Sequence, residues 1–166
     1  MLSFLLAALF LAGLMTAVLV RRLLTLHRLK KAIKNRNIEF LAAAVKDKYI
    51  VRVAKRFEKQ ILDLLFEEGT FDVFVEWCRA LKSSDDRYKI LSEGVIALTI
   101  DVETIVEEET SLREIGLYAA SKHAGFKYGR EADEDLIKWL NKFISFARPK
   151  VIIGHNIAHH DIPILI

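Results

Sequence analysis

From Leu2 to Val20 the chain runs for 19 residues without a charge, and only Ser3, Gly13 and Thr16 interrupt the apolar side chains. At about 1.5 Å per residue a helix of that length spans roughly 28 Å, close to the hydrocarbon thickness of a bilayer. The pattern predicts a transmembrane helix. Arg21, Arg22, Arg28, Lys30, Lys31, Lys34 and Arg36 follow before the first acid, Glu39, and an excess of Lys and Arg beside a spanning helix marks the cytoplasmic side. The expected topology is therefore single-pass, with residues 2–20 in the lipid bilayer, the N-terminus outside and the bulk of the chain cytoplasmic. A cleaved signal peptide is the alternative, although its apolar region is usually about 7 to 15 residues long and follows the positive charge. A buried soluble helix is a third. The basic stretch, interleaved with Leu23, Leu24, Leu26 and Leu29, reads either as a nucleic-acid arm or as a juxtamembrane helix against anionic head groups, and the second needs no further ligand.

Between Ile38 and Lys82 the period is helical throughout. Ile50, Val53, Phe57, Ile61 and Leu64 recur at three and four residues, opposite Lys48, Arg52, Lys55, Arg56 and Lys59, which predicts one amphipathic helix. Gly69 supplies a stop and Thr70 an N-cap for a second helix with its stripe at Phe71, Phe74, Val75, Cys78 and Leu81. An antiparallel pair is the simple arrangement, with Trp77 and Cys78 in its core. Ser83, Ser84, Asp85 and Asp86 are polar and loop-like, so residues 83–93 read as a linker.

After Gly94 the period changes to two. Val95–Thr104 reads as a strand in which Asp101 and Glu103, two apart, share a face. Leu112–Ala120 is a second strand and Ala124–Tyr128 a third, before a turn at Gly129. A helix follows, capped at or near Asp133, with its apolar face at Leu136, Ile137, Leu140, Phe143 and Ile144, and Pro149 ends it. Val151–Ile153 is wholly apolar, as for a central strand buried on both faces after a β-α-β crossover. Asp161 lies beyond it, at a strand-to-helix transition where open α/β sheets place ligand-binding groups.

Composition changes the picture in two ways. With 52% hydrophobic residues the chain is too apolar to be mainly disordered, and its single cysteine excludes a disulfide framework or a Cys-based zinc site. The net charge of +3 conceals a division: residues 1–60 carry 13 Lys and Arg against 3 Asp and Glu, whereas residues 61–166 carry 12 against 19. The acidic part is where the candidate chemistry falls. Two carboxylates side by side on a strand repel unless a cation joins them, and Mg²⁺ or Mn²⁺ is the usual partner for hard oxygen ligands. Two solvated acids at a strand end are the bland alternative. His155, His159 and His160 also raise a His-plus-acid zinc site, which Gly154 and the preceding strand disfavour by placing them in a loop rather than at helical spacing.

Ile100-Asp-Val-Glu-Thr104, followed by Arg113-Glu-Ile-Gly116, resembles the first exonuclease motif of the DEDD superfamily of 3′-to-5′ exonucleases, which have a ribonuclease H-like fold. Pro149–Leu165, containing Gly154-His-Asn156 and then Asp161, resembles the second. The resemblance implies an α/β fold: a partial ribonuclease H-like domain, a mixed sheet with helices, preceded by a transmembrane helix and a helical pair. It implies that Asp101, Glu103 and Asp161 are catalytic residues holding a two-metal Mg²⁺ or Mn²⁺ site, and that Thr104, His155 and Asn156 contact substrate. The substrate implied is the 3′ end of a single-stranded nucleic acid, DNA or RNA.

The likeness covers residues 94–166. The family's third motif, a His or Tyr a few residues before a fourth Asp, has no counterpart before Ile166, so the domain reads as truncated. Its sheet is then expected to be covered by self-association or by a downstream domain. The expected segments are thus an anchor and basic helix at 1–36, a helical region at 37–82, a linker at 83–93 and the exonuclease-like domain at 94–166. The expected function is a membrane-anchored metal-dependent exonuclease, or the amino-terminal part of one. The alternative is a non-catalytic membrane protein whose nuclease-like domain binds nucleic acid or protein.

Overall fold

The computed structural model describes residues 2–105, 108–119, 124–129 and 133–154. They form a mixed α/β chain that divides into two compact units, Met1–Leu64 and Leu65–Ile166.

The first unit is helical. Helix α1 runs unbroken from Leu2 to Lys34, so the apolar run and the basic stretch form one rod. From Leu9 it is long and apolar enough to cross a membrane, and none of its most apolar stretch is buried. Phe10 and Met15 are each more than 70% exposed (73% and 74%). Arg36 ends the helix in a left-handed conformation, φ 49°, with the Asn37 N–H bonded to Ala32 O at 2.9 Å and the Arg36 N–H to Ile33 O at 3.2 Å. This is the pair of bonds of a Schellman stop, here with an arginine where glycine is usual.

Asn37 then caps α2 (Ile38–Ala44), its side chain accepting from Phe40 N at 2.9 Å. Asp47 caps α3 (Lys48–Ala54), accepting from Tyr49 N at 2.7 Å and Ile50 N at 3.2 Å. A 3-10 turn at Lys55–Phe57 separates α3 from α4 (Glu58–Glu67). The single helix expected from Ile50 to Leu64 is therefore two. Apolar spacing of three and four is satisfied equally by an α-helix and by an α-helix interrupted by a 3-10 turn, so the stripe survives the break. Phe57, Ile61 and Leu64 are buried, while Ile50 and Val53 are half-buried.

In the second unit Gly69, at φ 63°, closes α4, with Gly69 N–H bonded to Phe66 O and Thr70 N–H to Leu65 O. Thr70 precedes α5 (Phe71–Leu81) but makes no side-chain cap to it; its hydroxyl donates back to Leu65 O at 3.0 Å. It seals the end of one helix instead of opening the next. Trp77 and Cys78 are fully buried, as anticipated. The stretch expected to be a linker contains α6 (Asp86–Glu93), capped by Asp85 through Arg87 N at 2.9 Å. The Arg87 side chain returns to the same carboxylate at 2.6 Å, so a polar stretch that looks like a loop is a capped helix start.

Strands β1 (Ala97–Ile105), β2 (Glu108–Ala119) and β3 (Ala124–Gly129) form an antiparallel meander, and α7 (Asp133–Ala147) leads to β4 (Val151–Gly154), parallel to β1. The order in the sheet is β3-β2-β1-β4. Helix α7 packs on β2 and buries Leu136, Trp139, Leu140, Phe143 and Ala147, while Leu98, Ile100, Val102, Leu112, Ile115, Leu117 and Ala119 are buried positions of the strands. Phe66 and Phe71 join this core, their rings 5.4 and 5.9 Å from Trp139. At the exposed N-terminal turn of α7, Lys138 Nζ lies 2.8 Å from Glu134 Oε1; that hydrogen bond lowers the glutamate pKa and raises the lysine.

One expectation is reversed. Val151–Ile153 pairs in parallel with β1, as the crossover required, but among the described strands β4 lies at the edge of the sheet and its three apolar residues are exposed by 51%, 41% and 48%. An apolar run marks a strand that seeks cover on both faces; it does not by itself supply the covering element.

Candidate functional site

The site is built on β1. Alternation along the strand buries Leu98, Ile100 and Val102 and turns Thr99 and Asp101 to the opposite face, where Asp101 is exposed. By the same period position 103 shares that face with Asp101, as expected from the sequence. Across the ladder the antiparallel register places Gly116 opposite Asp101, Glu114 opposite Glu103 and Tyr118 opposite Thr99. The third row of the face continues into β3, where Lys127 is paired with Gly116 and Gly129 with Glu114.

Two features of this face were not legible in the sequence. The first is Glu114, half-buried at the position directly across from Glu103 in the ladder, so that a third acid position, on β2, adjoins the two on β1. The second is an irregularity in the ladder between Glu103, Thr104 and Ile105. Thr104 pairs with Leu112 and Ile105 with Glu108, so β2 carries one and then three residues more than β1 over the same rise. Bulges bend a strand and re-aim its side chains, and they gather beside functional sites. Thr104, expected to contact substrate, sits in this irregular stretch.

Gly116 leaves the space beside Asp101 clear. A Cβ there would stand 3.6 Å from both Asp101 Cβ and Asp101 O, which is ordinary contact, so a methyl fits but a larger side chain would stand over the carboxylate. Among the described residues no group of three or more His, Cys, Asp or Glu side chains is placed to hold a metal ion. Asp161, His155 and Asn156 lie outside the described residues, as do His159 and His160. The structure thus brings together positions 101 and 103 of the expected set and adds 114.

Comparison of the chain with protein-family models, with characterised proteins and with solved structures yields no match.

Proposed function

We propose that the sheet carries a metal-dependent 3′-to-5′ exonuclease site, and that α1 tethers it to a membrane with the sheet on the cytoplasmic side. The observation that carries this reading is the placement of acid positions 101 and 103 on one face of β1, with position 114 opposite 103 in the ladder register, next to a glycine and a bulge. The exposed apolar surface of α1 and the Lys and Arg residues that follow it support the tether and its orientation. A three-stranded meander, a helix and a parallel strand beside β1 form an arrangement with which a ribonuclease H-like domain can begin, and this supports the fold implied by the motif resemblance.

In this reading Asp101 and Glu103, with Asp161 by resemblance, hold Mg²⁺ or Mn²⁺. The metal supplies charge at the phosphate and an activated water when bound. The chain's own contribution is to fix the two strand carboxylates at adjacent positions of a hydrogen-bonded ladder, and to leave room above Asp101 for a phosphate. Thr104, His155 and Asn156 are the proposed contacts to the single-stranded 3′ end.

The test uses the full chain in detergent micelles with a 5′-labelled single-stranded oligonucleotide. Wild type should shorten it one nucleotide at a time in Mn²⁺ or Mg²⁺ and stop in chelator. Asp101→Asn should abolish shortening at unchanged helical content. Metal at about a hundredfold excess over its Kd should stabilise wild type by about 2.7 kcal/mol, and the variant less. Equal cleavage by the variant, or cleavage that persists in chelator, would remove the exonuclease assignment and leave a membrane-tethered binding domain.

A further inference from the structure

The Arg21 guanidinium of α1 lies over the Tyr49 ring of α3, 4.4 Å from its centroid. Both line a groove of about 770 Å³ whose α1 wall runs from Gly13 through Ala17, Val20 and Leu24 to Arg28. Volumes of this size hold small organic ligands. From Gly13 to Arg28 the wall is about 22 Å long at 1.5 Å per residue, and its character changes along that length. The Gly13–Val20 end belongs to the uncharged run, and Arg21 and Arg28 stand at the other end. At Gly13 that end lies open, since a Cβ there would meet nothing within 4 Å.

The polar groups of the groove other than its arginines are engaged or closed off. Thr16 donates to Ala12 O at 2.8 Å and Thr25 to Arg21 O at 2.9 Å, the Asp47 carboxylate accepts the first N–H groups of α3, and the Tyr49 hydroxyl is buried, without a hydrogen-bond partner among the described residues. What remains is two arginines beside an apolar channel. Those are the donors that a phosphate diester with an attached acyl chain requires.

We propose that this groove binds one anionic phospholipid, with its phosphate at Arg21 and Arg28 and an acyl chain along Val20, Ala17 and Gly13. The proposal rests on the placement of α1 in a membrane. Arg21, at the end of the uncharged run, then stands at head-group depth, and its stacking on Tyr49 holds the guanidinium in one orientation.

Native mass spectrometry of the full chain, released from mild detergent with equimolar phosphatidylglycerol and phosphatidylcholine, tests it. Wild type should retain one phosphatidylglycerol per chain, preferred about tenfold, and Arg21→Gln should lower retention about tenfold, the scale of one hydrogen bond to a charged group. Arg22→Gln, which removes an equal charge outside the groove, should leave it unchanged, and excess inorganic phosphate should not displace the lipid. Equal retention of both lipids, equal loss in Arg21→Gln and Arg22→Gln, or displacement by phosphate would overturn the proposal. So would a lipid-free dimer, which would place a second copy of the chain in the groove. Alkaline washing of membranes separates the two readings: a chain that stays in the membrane but shows no lipid preference refutes only the groove, whereas a released chain refutes the anchor.

Discussion

Removing the indole of Trp139 should show how much the aromatic core beneath the sheet holds the second unit together. The side chain is 3% exposed, and its Nε1 donates to Phe66 O at 2.8 Å. Its ring is edge-on to Phe66 and Phe71 and stacked on Phe143 at 5.6 Å, with 26° between the planes. Truncating a buried tryptophan to alanine costs about 3 to 5 kcal/mol. Trp139→Phe keeps most of the ring contacts and loses the hydrogen bond, about 1 kcal/mol, together with a small void. The Phe66 carbonyl is not orphaned, because Gly69 N–H also donates to it at 3.1 Å, so the phenylalanine variant should cost about 1 to 2 kcal/mol in all. At about 2 to 4 °C per kcal/mol for a chain of this size, Tm should fall by roughly 2 to 8 °C for Trp139→Phe and 6 to 20 °C for Trp139→Ala.

Thermal melts of the full chain in one detergent measure this. In both variants Trp77, the other of the chain's two tryptophans, remains as a buried reporter in the same unit. Coincident fluorescence and circular-dichroism transitions would license the comparison. A cost below about 1 kcal/mol for Trp139→Ala, far from the range for buried aromatics, would refute the packing described here. Equal costs for the two variants would show that the hydrogen bond, not the ring contacts, dominates.

Two further predictions concern glycines. Gly69→Ala should destabilise by about 1 to 2 kcal/mol for the left-handed backbone alone, and by more once its Cβ meets Trp139 Cδ1 at 3.1 Å; in Trp139→Ala the extra part should vanish, which a double-mutant cycle reads directly. Gly116→Ala should be neutral or stabilising by up to about 1 kcal/mol, since its backbone suits any residue. Gly116→Leu should fold yet lose the metal-dependent rise in Tm, and an undiminished rise would show that the space beside Asp101 is not used.

The residue pattern alone determined the spanning length of α1, the helical middle, the β-β-β-α-β order of the second unit, and the shared face of positions 101 and 103. Each is a local property: periods of 3.6 and 2 and the length of an apolar run need no partner to be read. The sequence also marked Gly69 as a stop, because a left-handed residue is what glycine tolerates best. It placed helix ends near Arg36 and Lys82 and before Pro149, but not the left-handed conformation that Arg36, Lys82 and Arg148 take there at φ 49°, 56° and 48°, since none of them has glycine's advantage. Tertiary structure decided the rest. Glu114 comes opposite Glu103 only through a ladder register that the bulge at Thr104 shifts, and register depends on the pairing of two strands rather than on either one. The Thr70 hydroxyl had two helix ends within reach, and the geometry of the Gly69 turn selected the earlier one. The exposure of Val151, Ile152 and Ile153 is decided in the same way, since an apolar strand specifies a need for cover, whereas whether cover is present depends on what else packs against the sheet.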